Sequence, residues 1–202
     1  MIKVTPNIIA RIDDVAHQIG PPEPDKLGPF PGAMLGPYCA ELCESPIEVL
    51  FLASFINLGA FDHGFTLTPE PLPRKRYGKR AELLRDIEAQ KVGAVIAPQV
   101  GVGPYRADFI VGFPDAELNG WIVNVECDGH DFHDVTDAQV ARDRARDRFF
   151  LSMGIPVMRF SGSEIWREPE ACVHQIINAF YDAAISASAV AEARAVASGG
   201  DR

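Results

Sequence analysis

The sequence contains few cysteines, fewer basic than acidic residues and no long hydrophobic run. Four cysteines in 202 residues do not make a disulfide framework and are typical of reduced thiols, so we expect a cytoplasmic protein. The most apolar run, FLASFINLGAF, is interrupted by Ser, Asn and Gly, so a membrane span is not expected. The N-terminal sequence MIKVTPNIIARIDD lacks the continuous apolar core of a secretory signal.

The formal net charge of -9 argues against broad, unspecific affinity for polyanions. It does not exclude an enzyme that acts on nucleic acid, because the local field of a groove governs binding. A divalent cation on a carboxylate cluster would also cancel part of the acidic excess. The composition is that of an ordinary globular protein, with 47% hydrophobic and 23% charged residues, and the length allows one substantial core.

Three parts of the chain differ in composition. Residues 1–40 predict an N-terminal helix beginning near Pro6, followed by the Pro- and Gly-rich run PPEPDKLGPFPGAMLGP (21–37). We interpret this run as an extended linker or a lid over the surface. Residues 41–185 predict an α/β domain, and residues 186–202 an Ala-rich C-terminal tail.

Hydrophobic periodicity in the central part predicts elements in the order α, β-β-β, α, β, α. The first helix is SPIEVLFLASFINLG, with Ser45 as its cap, Pro46 in its first position and Gly59 at its end. The remaining elements are the strands AVIAPQVGV (94–102), RADFIVGF (106–113) and WIVNVEC (121–127), the helix TDAQVARDRARDRFFLSMG, the strand IPVMRFS (155–161), a connector at 163–168 and a long helix from about Pro169. This order predicts a mixed central sheet flanked by helices, in which the second and third strands form an antiparallel hairpin.

A basic segment, RKRYGKRAELLRDIEAQK (74–91), precedes the first of these strands. It holds seven Lys or Arg and three acids, although the chain as a whole is acidic. Such a segment is most often a solvated helix, but it is also the obvious positive stripe of the protein. Contact with nucleic acid is therefore the alternative interpretation.

The stretch VNVECDGHDFH (123–133) gathers carboxylates, a thiol and imidazoles at the end of a predicted strand. Side chains alternate along a strand, so Glu126 and Asp128 share one face while Cys127 turns to the other, toward the core. Asp108, between Ala107 and Phe109, is expected to face away from both. If the hairpin places Asp108 beside Glu126, three carboxylates converge at one sheet edge, where hard oxygen ligands suit Mg²⁺ or Mn²⁺.

The alternative is that these acids are solvated residues at strand ends. This interpretation is favoured for Asp108 taken alone, since isolated acids are common there. It is not favoured for Glu126 with Asp128, because both follow a strand that we expect to be buried. Burying adjacent carboxylates without a cation costs free energy.

Cys127, His130 and His133 also suggest a zinc site. A structural zinc ion needs four ligands, however, and the sequence offers neither a CxxC pair nor a second cluster. His130 and His133 fit a general base or a phosphate contact beside the metal better, although loop histidines without a role remain an alternative.

Two further charged groups have structural explanations. Glu48 lies three residues after the Ser45 cap, and its carboxylate can bond back to the N–H of the cap residue. Arg146 lies four residues after Arg142 in a run of alternating charges, which is usually a solvated helix face. The alternative is that Arg146 contacts the phosphate, oriented by Asp143 or Asp147.

Taken in order, these motifs resemble the PD-(D/E)XK nuclease superfamily of restriction-endonuclease-like fold. The resemblance is carried by SPIE, PQVGVGPYRADF, VNVECDGHDFH and RDRARDRFFLSMGIPVMRFS, and it is closest to small domains related to very-short-patch mismatch-repair endonucleases. It implies Mg²⁺- or Mn²⁺-dependent hydrolysis of DNA. Asp108 would match the metal-binding Asp of the family, Glu126 the acid of the (D/E)XK element, and Glu48 the first-helix acid at the metal; Gln99 would be a lesser contact.

The sequence departs from the family pattern at Asp128, where the motif calls for lysine. Candidates for the work of that lysine are His130, His133 and Arg146. The departure also leaves open a catalytically inactive nuclease-fold module that binds DNA or a protein partner, and a zinc-stapled binding domain is the third alternative. DNA is the expected partner, and a homodimer bridged by residues 1–40 is compatible with the sequence.

Overall fold

A mixed β-sheet forms the centre of the computed structural model, which describes residues 2–20, 28–63, 65–68, 72–114, 120–128 and 137–199. The strands are β1 (Leu67–Thr68), β2 (Arg76–Tyr77), β3 (Ala94–Val102), β4 (Tyr105–Phe113), β5 (Trp121–Asp128) and β6 (Val157–Ser161). Five of them follow the order β1-β3-β4-β5-β6, and β2 pairs with the other half of the β3 edge. The β3–β4 and β4–β5 pairs are antiparallel, whereas β6 runs parallel to β5 and β1 and β2 run parallel to β3. The expected α/β class is confirmed.

Helices cover both faces of this sheet. They are α1 (Pro6–Ile19), α2 (Gly32–Ala40), α3 (Pro46–Asn57), α4 (Arg80–Glu88), α5 (Asp137–Ser152), α6 (Gly162–Arg167) and α7 (Pro169–Gly199). Apolar residues of α1, α2, α3, α6 and α7 pack with one face of the sheet in a first core, and those of α4 and the end of α5 pack in a second core. No helix in the described ranges is long and apolar enough to cross a membrane.

Helix α3 lies at the centre of the first core. All ten of its residues from Glu48 to Asn57 are buried. A helix that is apolar around its whole circumference must be enclosed by other elements, and here α1, α2, α6 and α7 pack against it. The helical path does not end at Gly59 as expected, because a π-helical turn, Leu58–Asp62, continues it. Because α3 is buried and continues into this turn, both of its ends are held in place relative to the strands.

The N-terminal region is less extended than its composition suggests. Residues 21–27 lie outside the described ranges, but part of the run expected to be an extended linker or lid forms α2 instead. Burial decides this local conformation, because Leu35, Cys39 and Ala40 pack in the first core with α1 and α3. The division of the chain at residue 41 stays a prediction.

The segment expected to be a connector at 163–168 is also largely helical, as α6. A capping box begins this helix: Ser161 Oγ accepts the N–H of Glu164, and Glu164 accepts the N–H of Ser161. Each side chain satisfies a backbone donor that a short helix would otherwise expose. The composition of the segment is polar, but its capping pattern favours a helix.

Candidate active site

Three acidic side chains lie near one another where β4 and β5 meet the first turn of α3, although their carboxylate oxygens do not all lie within 4.8 Å of one another. They are Glu48 from α3, Asp108 from β4 and Glu126 from β5, and we call them the carboxylate site. The antiparallel register pairs Phe109 with Val125, so continuing it by one step would place Asp108 opposite Glu126, which is the condition under which the sequence predicts a shared site. The negative charge of Glu48 raises the pKa of Asp108, and that of Asp108 raises the pKa of Glu126, which shows that all three lie within electrostatic reach.

The backbone around Asp108 departs from simple alternation. Ala107 packs in the second core but Phe109 in the first, so the two neighbours of Asp108 lie on opposite faces of the sheet. The expectation that Asp108 faces away from both of them is therefore wrong. The same shift occurs on β3, where the residue opposite Asp108 is Gln99, with a left-handed φ of 55°. Residues other than glycine seldom adopt this conformation, and strain of this kind concentrates at functional sites. The shift re-aims Gln99 toward α3.

Glu48 is held by hydrogen bonds from both α3 and the sheet. Its Oε1 accepts the Ser45 hydroxyl at 2.8 Å, and its Oε2 accepts the Glu44 N–H at 2.8 Å and Gln99 Nε2 at 2.9 Å. The expected bond to the N–H of the cap residue is thus replaced by one to the residue before it. Glu48 therefore has a structural role at the start of α3 and also lies at the carboxylate site.

Asp108 is partly buried and receives one backbone hydrogen bond. Its Oδ2 accepts the N–H of Cys127 at 2.9 Å. Burial raises the pKa of Asp108, and the charges of Glu48 and Asp128 add to that effect, whereas the Cys127 N–H and Arg146 oppose it. The net result is a carboxyl group whose ionised form lacks full compensation within the described part of the chain.

Glu126 is 2% exposed, and its carboxyl group is almost fully enclosed by protein. Burial raises its pKa to about 8, and the charge of Asp108 contributes. Arg146 Nη2 contacts Glu126 Oε1 and Oε2 at 2.7 and 2.6 Å, and Asn124 Nδ2 donates to Oε1 at 2.6 Å. Even with these partners the neutral form is favoured near neutral pH, so a further positive charge would stabilise the carboxylate.

Arg146 reaches the site from α5. Besides Glu126, its Nη2 donates to the carbonyl oxygen of Arg106. Its Nε is buried without a hydrogen-bond partner among the described atoms. The interpretation of this arginine as part of a solvated helix face is therefore wrong, since its guanidinium contacts the buried acid Glu126.

Asp128, at the position of the motif lysine, holds a second arginine that the sequence did not single out. Arg159 Nη1 lies 3.3 Å from Asp128 Oδ1, and its Nη2 donates to Asp147 Oδ1 at 2.8 Å. The parallel β5–β6 register pairs Arg159 with Glu126. Asp147 thus orients Arg159 and not Arg146. The sequence does show an arginine in the middle of a predicted strand, which is an unusual place for a charge. Its neighbours on β5 become known only from the register between β5 and β6.

The chemistry of these donors fits a hard divalent cation. Three carboxylates supply oxygen ligands, which Mg²⁺ and Mn²⁺ prefer. Two buried acceptor oxygens near them, Gln99 Oε1 and Asn124 Oδ1, have no hydrogen-bond partner in the described ranges. Unpaired buried acceptors are rare in folded proteins, and a cation with its water shell is the kind of group that would satisfy them.

The remaining predicted residues are divided between the core and the undescribed part of the chain. Cys127 packs in the first core, as alternation predicts, and burial raises the pKa of its thiol, which disfavours the thiolate that zinc binds. All four cysteines are free and buried. His130 and His133 lie outside the described residues.

Some of the basic side chains in the segment 74–91 form ion pairs or hydrogen bonds within the protein. Lys75 forms an ion pair with Asp86 at 2.7 Å, Arg76 Nη1 donates to the Gly103 carbonyl at 2.8 Å, and Arg80 donates to the carbonyl of Gly120. The other basic side chains of the segment, Arg74, Lys79, Arg85 and Lys91, are exposed. They are the part of the stripe that stays available to a polyanion.

Comparison with known proteins gives one match. Residues 81–180 match the family model REase_MTES_1575, and this range contains Asp108, Glu126, Asp128 and Arg146 but not Glu48. No curated protein and no solved structure matches the chain. The matched range runs from α4 into α7 and includes β3 to β6, the strands that carry the carboxylate site. This part of the chain, just under half of its length, is therefore similar to a restriction-endonuclease-like family.

Proposed function

We propose that the protein is a Mg²⁺- or Mn²⁺-dependent endonuclease that hydrolyses phosphodiester bonds of DNA. The observation that carries the proposal is that Glu48, Asp108 and Glu126 lie within electrostatic reach of one another, with the pKa values of the two strand acids raised by burial. A fold does not by itself specify an activity, so the argument depends on this site together with the family match.

In the proposed reaction, Asp108 and Glu126 hold the cation and Glu48 assists them. The cation would supply Lewis-acid polarisation of the scissile phosphate and lower the pKa of the attacking water. Gln99 positions Glu48 through the bond from its Nε2, and Asn124 positions Glu126. Asp128 acts through Arg159, which it holds beside Glu126.

The positive charge that the motif lysine would provide comes, in this proposal, from two arginines. Arg146 has a buried Nε without a partner among the described atoms, and Arg159 lies next to the same acid on β6. A guanidinium can donate to two oxygens of a phosphate and stabilise charge that develops in the transition state. His130 and His133 remain candidates for the general base.

We also propose that the protein belongs to a particular branch of these nucleases. The Asp-Gly-His sequence that begins at Asp128 resembles the branch related to very-short-patch repair endonucleases. The exposed basic residues of 74–91 would follow the DNA backbone, which requires only a local positive field in an acidic protein.

Cleavage of supercoiled plasmid and of oligonucleotide duplexes tests the proposal. With Mn²⁺ or Mg²⁺ we expect nicked or linear product, and chelation by EDTA should abolish it. Asp108→Asn and Glu126→Gln preserve the shape of each side chain but remove a charged ligand. We expect each to lower the cleavage rate by at least ~10³-fold, about 4 kcal/mol of transition-state stabilisation.

Asp14→Asn is the matched control, because Asp14 is an acid on α1 that is 61% exposed. It should cleave at the wild-type rate, and all variants should melt as folded proteins. If Asp108→Asn and Glu126→Gln cleave as fast as Asp14→Asn, the activity comes from a contaminating nuclease or from another site, and the proposal fails.

A further inference from the structure

A second group of metal-binding side chains lies at the other end of α3. Asp62 ends the π-helical turn that follows α3, His63 is the next residue, and His174 comes from α7. Their ligand atoms all lie within 4.8 Å of one another. We call them the Asp–His cluster. It shares no residue with the carboxylate site and lies outside the motifs of the nuclease family.

The spacing of these atoms matches a metal coordination shell. Asp62 Oδ2 lies 3.1 Å from His174 Nε2 and 3.5 Å from His63 Nε2. Ligands about 2.0–2.1 Å from a tetrahedral zinc ion are separated from one another by about 3.3 Å. The two oxygen–nitrogen distances are therefore close to those that a zinc ion imposes, and the nitrogens of the two histidines lie within 4.8 Å of each other.

One side of the Asp–His cluster is packed against aromatic rings, and the other side is open to solvent. His63 stacks on Phe65 with ring centroids 6.0 Å apart and also contacts Tyr181. His63 Nε2 is buried without a hydrogen-bond partner among the described atoms, although it lies beside the Asp62 carboxylate. The side chains of Asp62 and His174 are 45% and 40% exposed. An ion can thus enter from solvent and meet a nitrogen that has no other partner.

A simple ion pair does not explain this arrangement fully. The contact between His174 and Asp62 satisfies both of those groups, but it leaves the His63 nitrogen unpaired. Two nitrogens and one oxygen favour zinc over Mg²⁺, which prefers an all-oxygen shell.

We propose that Asp62, His63 and His174 bind a Zn²⁺ ion with a water molecule in the fourth position. The ion would join the turn after α3 to α7 across 112 positions of sequence. Its role is to stabilise the packing of α7, since a ligand that binds only the folded state raises its stability. The site is independent of the proposed nuclease activity.

Zinc binding by the full-length protein tests this proposal. After removal of metals with a chelator, the protein is dialysed against Zn²⁺ and the bound zinc is counted; Co²⁺ serves as a spectroscopic substitute. We expect His63→Gln,His174→Gln to bind one zinc fewer than wild type and to lose the visible absorption of tetrahedral Co²⁺. Zinc at a hundredfold excess over its Kd should raise the wild-type Tm by roughly 5–10 °C and leave that of the variant unchanged.

Two controls separate this site from others. His17→Gln removes an exposed histidine of α1 and should keep the zinc. Asp108→Asn,Glu126→Gln should keep it too, which shows that the ion is not at the carboxylate site. Equal melting of the metal-free wild type and the histidine variant confirms that the variant folds. The proposal is wrong if the zinc count is the same with and without the two histidines.

Discussion

The carboxylate site and the Asp–His cluster lie at opposite ends of the same helix. Glu48 is in the first turn of α3 and Asp62 is in the turn that continues it, about 20 Å apart at 1.5 Å of rise per residue. The first site is built from oxygen ligands at the end of a buried sheet, and Glu126 is 2% exposed. The second is built from two imidazoles and one carboxylate, and Asp62 is 45% exposed.

The difference shows how burial changes what a carboxylate can do. In the carboxylate site, desolvation raises the pKa values of Asp108 and Glu126, so binding a cation there must compete with binding a proton. In the Asp–His cluster, Asp62 is partly exposed, and the affinity for zinc would depend on the nitrogen ligands instead. Two metals of different preference could therefore occupy one small protein without competing.

Arg146→Ala tests whether a neighbouring positive charge helps the buried Glu126 to ionise. Arg146 contacts Glu126 and lowers its pKa, so its removal should make that acid still harder to ionise. We expect cleavage at pH 7 to fall by ~10²-fold, because a positive group near the phosphate is lost as well. The acid limb of the pH–rate profile should move to higher pH. Steady-state cleavage rates between pH 6 and 9.5 measure both effects.

Arg142→Ala is the control, since Arg142 is exposed one helical turn earlier on α5. It should keep the wild-type rate and pH profile. Arg146→Lys should recover part of the rate. An Arg146→Ala enzyme with an unchanged profile would show that Glu126 does not depend on this charge.

The pH dependence of the stability of the metal-free protein tests whether burial raises the pKa of Glu126. The pKa of Glu126 is about 8 when folded and near 4.5 when unfolded, so the folded state binds an extra proton between these values. The contribution of Glu126 to stability is therefore full below pH 4.5 and is lost as the pH rises from 4.5 through about 8. In EDTA, Glu126→Gln should become more stable than wild type as the pH rises from 5 to 9. Each pKa unit corresponds to about 1.4 kcal/mol and roughly 3–5 °C in Tm.

Glu88→Gln, at an exposed position of α4, should show no such gain at pH 9. Melting curves at pH 5, 7 and 9 make the comparison. Parallel curves for wild type and Glu126→Gln across this range would mean that Glu126 is ionised at neutral pH without a metal.

The smallest effect is expected when the two sites are tested against each other. His63→Gln,His174→Gln should cleave DNA within about twofold of the wild-type rate at 25 °C, because the histidines are about 20 Å from Glu48. Cleavage assays with Mg²⁺ and no added zinc measure this. A tenfold loss would instead show that α3 couples the two sites, and their independence would be disproved.

Local sequence pattern accounts for the first site better than for the second. Period-2 alternation predicts that Glu126 and Asp128 share a face and that Cys127 enters the core, and the antiparallel hairpin allows Asp108 to lie beside Glu126. These relations depend on neighbours in sequence or on one tight connection. The shift at Gln99 was beyond such reasoning, because it depends on a left-handed residue that no glycine marks.

Contacts between distant segments explain what the pattern missed. Arg159 meets Asp128 across 31 positions through a parallel pairing, and His174 meets Asp62 across 112. Parallel strands need a crossover whose register is set by the packing of α5, and periodicity carries no information about it. Similarly, α2 forms in a Pro- and Gly-rich run because its apolar residues are buried by α1 and α3.

The complete enclosure of α3 limits how this protein can vary over evolution. Inserting one residue between Glu48 and Asp62 would turn one end of the helix by about 100° relative to the other and lengthen it by about 1.5 Å. Ten consecutive buried residues leave no exposed face on which such a rotation could be absorbed. Length changes should therefore accumulate in surface connections, while the span between these two acids keeps a constant length.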